Sequence, residues 1–340
     1  MVKHANISGE LRQLSSYFCK MKRVAILITH QAIIAAIGNT RYLFAMVNSF
    51  LKQSCKSERF DVKLVGLEKE MKLNDGVFTI QADTTIDKLN ETDLIIIPPM
   101  SGDMLDDIDL NRDYIPWIIQ QYHRGTEVAS LCVGSFILAD TGLLNGQQCS
   151  THWQSANEFR ERFPDIELVD EKIITDHNGL YTSGGSNSYW NLLVYLIEKY
   201  ADRETSIWAS KYFEIERNRD NQSLFMIFEG SKMHHDEAVL TVQQHLESSF
   251  TEKISVDQLA DMVYLSRRTF QRRFQKATHL PVKEYIQKLR IERAKKLLEE
   301  DNLTVNEVMY ESGYNDSKAF RYVFKKVAGV SPLVYRQKYT

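Results

Sequence analysis

The chain has 340 residues, 43% of them hydrophobic and 26% charged, with only 15 Gly and 6 Pro; this excludes collagen-like and disordered classes, and the length predicts two domains. The 42 Lys and Arg against 45 Asp and Glu exclude a uniformly basic nucleic-acid binder, yet residues 237–340 carry 18 basic and 13 acidic side chains while the preceding 236 carry 24 and 32. A cationic module on an acidic body is what a protein that meets phosphate at one end only requires.

No run reaches the ~20 apolar residues of a membrane span, and the first residues form no apolar leader, so a cytoplasmic location without a membrane partner is expected. Cys19, Cys55, Cys132 and Cys149 are widely spaced with no CxxC pair, which predicts free thiols, no metal site and no cofactor.

Residues 1–22 read as an N-terminal extension in which Leu11, Leu14 and Phe18 have the spacing of a short amphipathic helix. Apolar runs at 23–28, 60–65, 94–97 and 128–131 then alternate with helical stretches such as 40–51 and 117–122; runs at 172–175 and 180–183 and a helix at 190–200 follow. Near-continuous apolar strands alternating with helices predict an α/β domain, a flavodoxin-like doubly wound parallel sheet covered on both faces, over residues 23–230. The segment 214–228 is expected to extend this domain or to form a dimer contact, and the polar stretch 231–236 is expected to be a linker. His234 and His235 within it are expected to be solvated.

Cys132 follows an apolar strand directly and precedes Gly134 and the helical run Ser135-Phe136-Ile137-Leu138-Ala139. This places the thiol on a strand-to-helix turn, where a helix N-terminus favours thiolate and nearby N–H groups suit an oxyanion or a ligand carboxylate. The stretch from Ala129 through Cys132, Gly134, Leu138-Ala139 and Gly142-Leu143-Leu144 to Thr151-His152-Trp153 resembles the signature of class I glutamine-amidotransferase-like domains related to PfpI proteases. That resemblance implies a nucleophile position at Cys132, a possible partner in His152, and oxyanion donors in the loop Pro98-Pro99-Met100-Ser101-Gly102. The chain departs from the pattern in two places: Thr29-His30-Gln31 after the first strand contains no acid, and Val133 stands where peptidases place a His. A thiol without acid or adjacent base is poorly equipped for hydrolysis, so a non-enzymatic pocket is expected, its effector held by Cys132, Val133, His152, Met100 and Ser101.

Residues 237–340 read as all-α. Ser255-Val256-Asp257-Gln258 and Thr304-Val305-Asn306-Glu307 are capping boxes, and Ser266 with Phe270 and Phe274 recurs 50 residues on as Asp316 with Phe320 and Phe324. Each copy predicts two short helices with an aromatic seam inside and a cationic face outside, joined to the other copy by one long helix at 282–299. Two helix-turn-helix motifs on a rigid connector would enter successive major grooves ~34 Å apart. The residues Leu265-Ser266-Arg267-Arg268-Thr269-Phe270, Arg290-Ile291-Glu292-Arg293-Ala294, Ser312-Gly313-Tyr314, Phe320, Phe324, Ser331-Pro332 and Tyr335-Arg336 resemble the AraC/XylS family DNA-binding domain. The resemblance implies DNA contacts from Arg268, Thr269, Gln271 and Arg272 in the first recognition helix, and from Ser317, Lys318, Arg321 and Tyr322 in the second.

An amidotransferase-like domain followed by an AraC-type domain resembles a subgroup of bacterial transcription regulators, many linked to the catabolism of amino acids and small amines. That implies a sequence-specific, operator- or promoter-binding homodimer acting as an activator with RNA polymerase, the first domain sensing a small-molecule effector such as an amino acid or amine. Two alternatives stay open at this point: a cysteine-dependent hydrolase or hydratase fused to a DNA-binding domain, and a Cys132 redox sensor.

Overall fold

Val24, Ala25, Ile26 and Leu27 are all buried, as a parallel strand covered on both faces requires. In the computed structural model they form β1 (Lys22–Leu27), followed by α1 (Ile34–Gln53), β2 (Phe60–Gly66), a hairpin of β3 (Glu70–Leu73) and β4 (Phe78–Gln81), β5 (Thr84–Thr85) and β6 (Leu94–Ile97). Next come α2 (Met104–Leu110), α3 (Tyr114–His123), β7 (Glu127–Ser130), α4 (Ser135–Asp140), β8 (Gln148–Cys149), α5 (Ala156–Arg162) and β9 (Glu167–Leu168). The α/β unit closes with β10 (Ile174–His177), β11 (Leu180–Ser183), α6 (Tyr189–Tyr200) and α7 (Arg203–Tyr212). The structure describes residues 21–340 except 74, 75, 218, 233 and 301; the helix expected around Leu11, Leu14 and Phe18, and the thiol of Cys19, lie outside them.

The main sheet runs β10-β11-β7-β6-β1-β2-β5, parallel throughout except for the β10–β11 edge pair. Val24 sits between Val62 and Leu94 in register. Successive residues of β1 alternate between two cores: Val24 and Ile26 pack with Phe44 and Leu193, while Ala25 and Leu27 pack with Ile118 and Phe136. The doubly wound sheet is thus as expected. The β3–β4 hairpin is an addition, since its Glu-Met-Lys-Leu alternation covers only four residues. Among the described residues Cys55, Cys132 and Cys149 are free.

The second unit is helical: α8 (Glu237–Ser249), α9 (Val256–Met262), α10 (Arg267–Thr278), α11 (Val282–Glu299), α12 (Val305–Glu311), α13 (Ser317–Ala328) and α14 (Pro332–Tyr339). Both capping boxes form, Ser255 with Gln258 and Thr304 with Glu307. Two separate cores result. Phe270, Phe274, Val282 and Tyr285 belong to the first; Ile291, Leu298, Phe320 and Phe324 belong to the second. The 18 residues of α11 span both, over about 27 Å at 1.5 Å per residue, so one helix fixes the spacing of the two copies.

The division between the units falls between Gln222 and Ser223, ahead of the expected linker at 231–236. The stretch after Ser223 does not extend the α/β fold: Leu224 packs into the second helical core and Phe228 into the first. Local polarity marks where a chain meets water, whereas membership of a core depends on apolar partners distant in sequence.

The duplication also repeats two left-handed backbone positions. After α12 and α13 these are Gly313 (φ +82°) and Gly329 (φ +77°); after α9 and α10 they are Tyr264 (φ +54°) and His279 (φ +57°). Glycine adopts this region without penalty, other residues do not, so the first copy carries strain that the second lacks. His279→Gly is expected to stabilise the first copy by up to about 1 kcal/mol in urea unfolding; a destabilised variant would show that the imidazole is what holds this turn.

Candidate functional site

The elbow is built by three neighbouring strand ends. Cys132 leaves β7 with φ +54°, a left-handed conformation for a non-glycine residue, and begins a single 3-10 turn that leads into α4. Its N–H donates to Ser183 Oγ at the end of β11 (3.0 Å), and its carbonyl accepts from Thr151 Oγ1 (3.5 Å). On the other side Gly134 abuts the end of β6 so closely that a Cβ would meet Pro98 O at 2.7 Å and Ile97 O at 2.8 Å. The strained turn is therefore clamped on both flanks, a common way for local strain to persist at a functional position.

The thiol itself differs from the expectation of an activated thiolate. Cys132 is 5% exposed, and burial pushes its pKa up, the opposing N–H groups of Ser186 and Val133 being the smaller influence. Three residues of 3-10 turn offer little dipole, whereas loss of water penalises the anion directly. His152 makes no bond to this sulfur among the described residues. Its Nδ1 accepts from Gln154 N (3.1 Å) as the cap of the next turn, and its ring lies against Gly185, where a Cβ would come within 2.4 Å. Burial lowers the His152 pKa and so favours the neutral ring.

The loop after β6 is also committed differently from the expected oxyanion donors. Met100 is buried and forms a bridge with Ala32. Ser101 N donates to Gln31 O (3.0 Å) and Gly102 N to Asp107 Oδ2 (3.1 Å). Those N–H groups hold the loop together. Val133 is buried beside Cys132, so of the five residues expected to hold an effector, Cys132 and Val133 share the elbow, Met100 and Ser101 lie in the facing loop, and His152 lines the Gly185 wall.

Two features of this region were not legible in the sequence. Asp107, on α2, is buried beneath the loop, and its carboxyl is pushed up to about 6, mainly by burial and further by Asp103 and Asp106, against the stabilising Gly102 N–H. Its folded pKa exceeds its unfolded value, so the stability it contributes is full below about pH 4 and is lost as pH rises through about 6. Asp107→Asn is accordingly expected to raise the melting temperature relative to the parent above about pH 7 and to leave it unchanged below about pH 4; an equal shift at both ends would remove the carboxyl's titration as the cause. The second feature is a cleft of about 1070 Å³ at the carboxyl ends of β1 and β2, lined among others by His30, Gln31, Glu68, Glu70, Lys72 and Asp113. Carboxyl ends of parallel strands are where open α/β sheets bind ligands.

In the helical unit Arg268, Gln271 and Arg272 on α10, and Ser317, Lys318, Arg321 and Tyr322 on α13, are exposed. Thr269 is half-buried, its N–H donating to the cap residue Ser266 Oγ (3.3 Å). The decisive contrast is in charge compensation. Arg267 pairs with Asp257, Arg273 with Asp236 and Lys295 with Glu292, and Arg290 donates to the carbonyls of Phe250 and Glu252. No ion pair among the described residues engages Arg268, Arg272, Lys276, Lys318, Arg321 or Lys325. Buried Lys295 and the cations Arg267, Arg273 and Lys326 that face a neighbouring carboxylate are neutralised within the fold, whereas Arg268, Arg272, Lys276, Lys318, Arg321 and Lys325 on α10 and α13 are left for an external anion. An open groove of about 990 Å³ lies beside α10, where Arg272, Arg273 and Lys276 meet His234, His235, Asp236 and Glu237.

A doubly wound α/β unit with a clamped cysteine elbow, joined to a duplicated helix-turn-helix unit, defines a two-part architecture in which a pocket and a cationic surface are separately built. Residues 22–199 match the DJ-1/PfpI family and residues 259–338 match a helix-turn-helix domain. The chain belongs to the DJ-1/PfpI family and carries an AraC-type helix-turn-helix domain after it. It is similar to the HTH-type transcriptional regulator GbdR of Pseudomonas aeruginosa, 30% identical over 233 residues, 67% of this chain and 62% of GbdR. It is also similar to the HTH-type transcriptional regulator ArgR of the same species, 25% identical over 214 residues, 63% of this chain and 65% of ArgR. The matched segments thus span less than two thirds of these relatives' length. A solved chain from Vibrio parahaemolyticus, described as a candidate transcriptional regulator, shares the fold with a TM-score of 0.51 at 22% identity, over 57% of this chain and 99% of its own. No helix among the described residues is long and apolar enough to cross a membrane.

Proposed function

We propose that the protein is a sequence-specific DNA-binding transcription regulator whose DJ-1/PfpI domain senses a small molecule and does not turn it over. The observation that carries this is the uncompensated charge on α10 and α13, held at a fixed spacing by α11. Arg and Gln on a helix in the major groove read guanine and adenine edges, and Lys and Arg at its margins neutralise phosphate. The similarity to the transcriptional regulators GbdR and ArgR supports the same reading. The protein binds its operator or promoter as a homodimer and acts as an activator in contact with RNA polymerase.

Burial that disfavours the Cys132 thiolate and the commitment of His152 to a cap speak for a binding pocket, because hydrolysis needs a thiolate and a base within reach. An amino acid or amine is the proposed effector class; the cleft at the carboxyl ends of β1 and β2, separate from the elbow, offers Glu68, Glu70 and Asp113 to an ammonium group. Selection of binding sequences from randomised duplexes, followed by footprinting, tests the assignment. Protection of two patches about one helical turn apart is expected; recovery of no consensus at any salt concentration would overturn it. Native mass spectra of the purified protein and its Cys132→Ser form test the pocket. A retained noncovalent molecule lost on substitution supports a sensor, and a Cys132 adduct that turns over would make the domain an enzyme.

A further inference from the structure

The last residue of the α/β unit is wired to the elbow. Gln222 is 1% exposed; its Oε1 accepts from Gly185 N (2.8 Å) and its Nε2 donates to Thr151 O (2.9 Å) and Asp170 O (2.5 Å). Both of the first two partners belong to the elbow: Thr151 holds the Cys132 carbonyl, and Gly185 adjoins Ser186, whose N–H faces the Cys132 sulfur, and supports the His152 ring. Gln222 therefore ties down the 183–186 wall that Cys132 leans on from two directions.

The next residue, Ser223, begins a strap that is fastened wholly to the helical unit. Met226 O accepts from Lys295 Nζ (2.6 Å), and Phe228 N donates to Glu292 Oε2 (3.1 Å). Lys295 and Glu292 are themselves an ion pair on α11, with side chains only 4% and 12% exposed. One buried pair thus satisfies two peptide groups of the strap, which would otherwise be orphaned away from water. Leu224 packs in the second helix-turn-helix core, and Phe228 in the first, its ring 5.1 Å from that of Tyr285. Further on, Ser231 O accepts from Gln243 Nε2 (2.7 Å), and Asp236 grips Arg273 of α10 through two bonds (2.8 and 2.7 Å). The strap touches both copies and ends on the first recognition helix.

We propose that Gln222 and the strap from Ser223 to Asp236 form the coupling element of the regulator: a ligand that displaces the 183–186 wall pulls or releases Gln222, and the strap transmits this to the helical unit through its hold on α11 and on Arg273 of α10. The proposal rests on the elbow being the sensing pocket. It needs no contact other than the continuous chain, and it identifies the differential element that allostery demands, a strap either latched or unlatched on the Lys295–Glu292 pair.

Hydrogen–deuterium exchange on the full chain, without DNA or ligand, tests it. In Gln222→Ala, peptides covering 224–231 are expected to exchange about tenfold faster than in the parent. Reciprocity requires the converse: Lys295→Met, which breaks the latch, is expected to accelerate exchange at 183–188. Asn48→Ala controls for general loosening, because Asn48 bonds Phe60 O and Arg59 N at the opposite ends of the strands. If the strap in Gln222→Ala exchanges as it does in Asn48→Ala, or if Lys295→Met leaves 183–188 unchanged, the proposal is overturned. Should Gln222→Ala fail to fold, Gln222→Glu, which keeps the acceptor for Gly185 N but loses the donor, is read by the same criterion. Failure of the DNA-binding assignment would leave this experiment's outcome unaffected, so the two are separable.

Discussion

Arg268→Ala and Arg272→Ala are each expected to weaken binding to a selected duplex by ~1–3 kcal/mol, about 5- to 150-fold, with relaxed preference at one base pair. Both side chains stand one helical turn apart on the exposed face of α10 with no internal carboxylate to hold them. Lys276→Ala and Lys325→Ala should behave differently. A phosphate contact carries no sequence information, so these variants weaken binding to all duplexes alike and reduce the dependence of log K on log salt by about 0.9 each. Arg321→Ala should relax specificity in the other half of the site, α13 being the proposed second reader. Electrophoretic titration at three salt concentrations separates the classes. Unchanged footprints in both Arg268→Ala and Arg272→Ala would remove α10 as a reading helix.

Phe274→Ala and Phe324→Ala are each expected to cost ~3–5 kcal/mol, the loss of a fully buried aromatic plus the cavity left behind. Each ring lies in a different core: Phe274 meets Phe270 and Tyr285, and Phe324 meets Phe320 and Tyr335. The damage should therefore be divisible. Phe274→Ala is expected to expose the amides of α10 while α13 stays protected, and to shrink the footprint to the half read by α13; Phe324→Ala should do the reverse. The first copy carries the additional strain of Tyr264 and His279, so Phe274→Ala is expected to be the more damaging of the two. Exchange at residue resolution would show it, and loss of protection in both copies from either substitution would mean that α11 makes them one cooperative unit.

Much of this was determined by the sequence alone, and for a common reason: the information is short-range. A capping box acts over four residues, an amphipathic face over two turns, and a duplication is visible as a repeated spacing of Ser or Asp and two Phe. The helices, the two cationic faces and the exposure of Arg268, Gln271, Arg272, Lys318 and Arg321 follow from those signals. Continuous apolar runs likewise announce strands buried on both sides, and the order of β7, Cys132 and α4 announces an elbow.

Only the tertiary structure decided what depends on groups distant in the chain. Burial pushes the Cys132 thiol up because β6, β11 and the 183–186 wall exclude water from it, and no stretch near Cys132 encodes that exclusion. The ring of His152 became a packing surface because Gly185 arrives from 33 residues away. Asp107 titrates high because the loop after β6 closes over it. The allegiance of residues 223–236 turned on Tyr285, Glu292 and Lys295, some sixty residues later, whose apolar and charged contacts outweigh the local polarity that marks a linker. Secondary structure is set by neighbours in sequence; solvation, pKa and domain membership are set by neighbours in space.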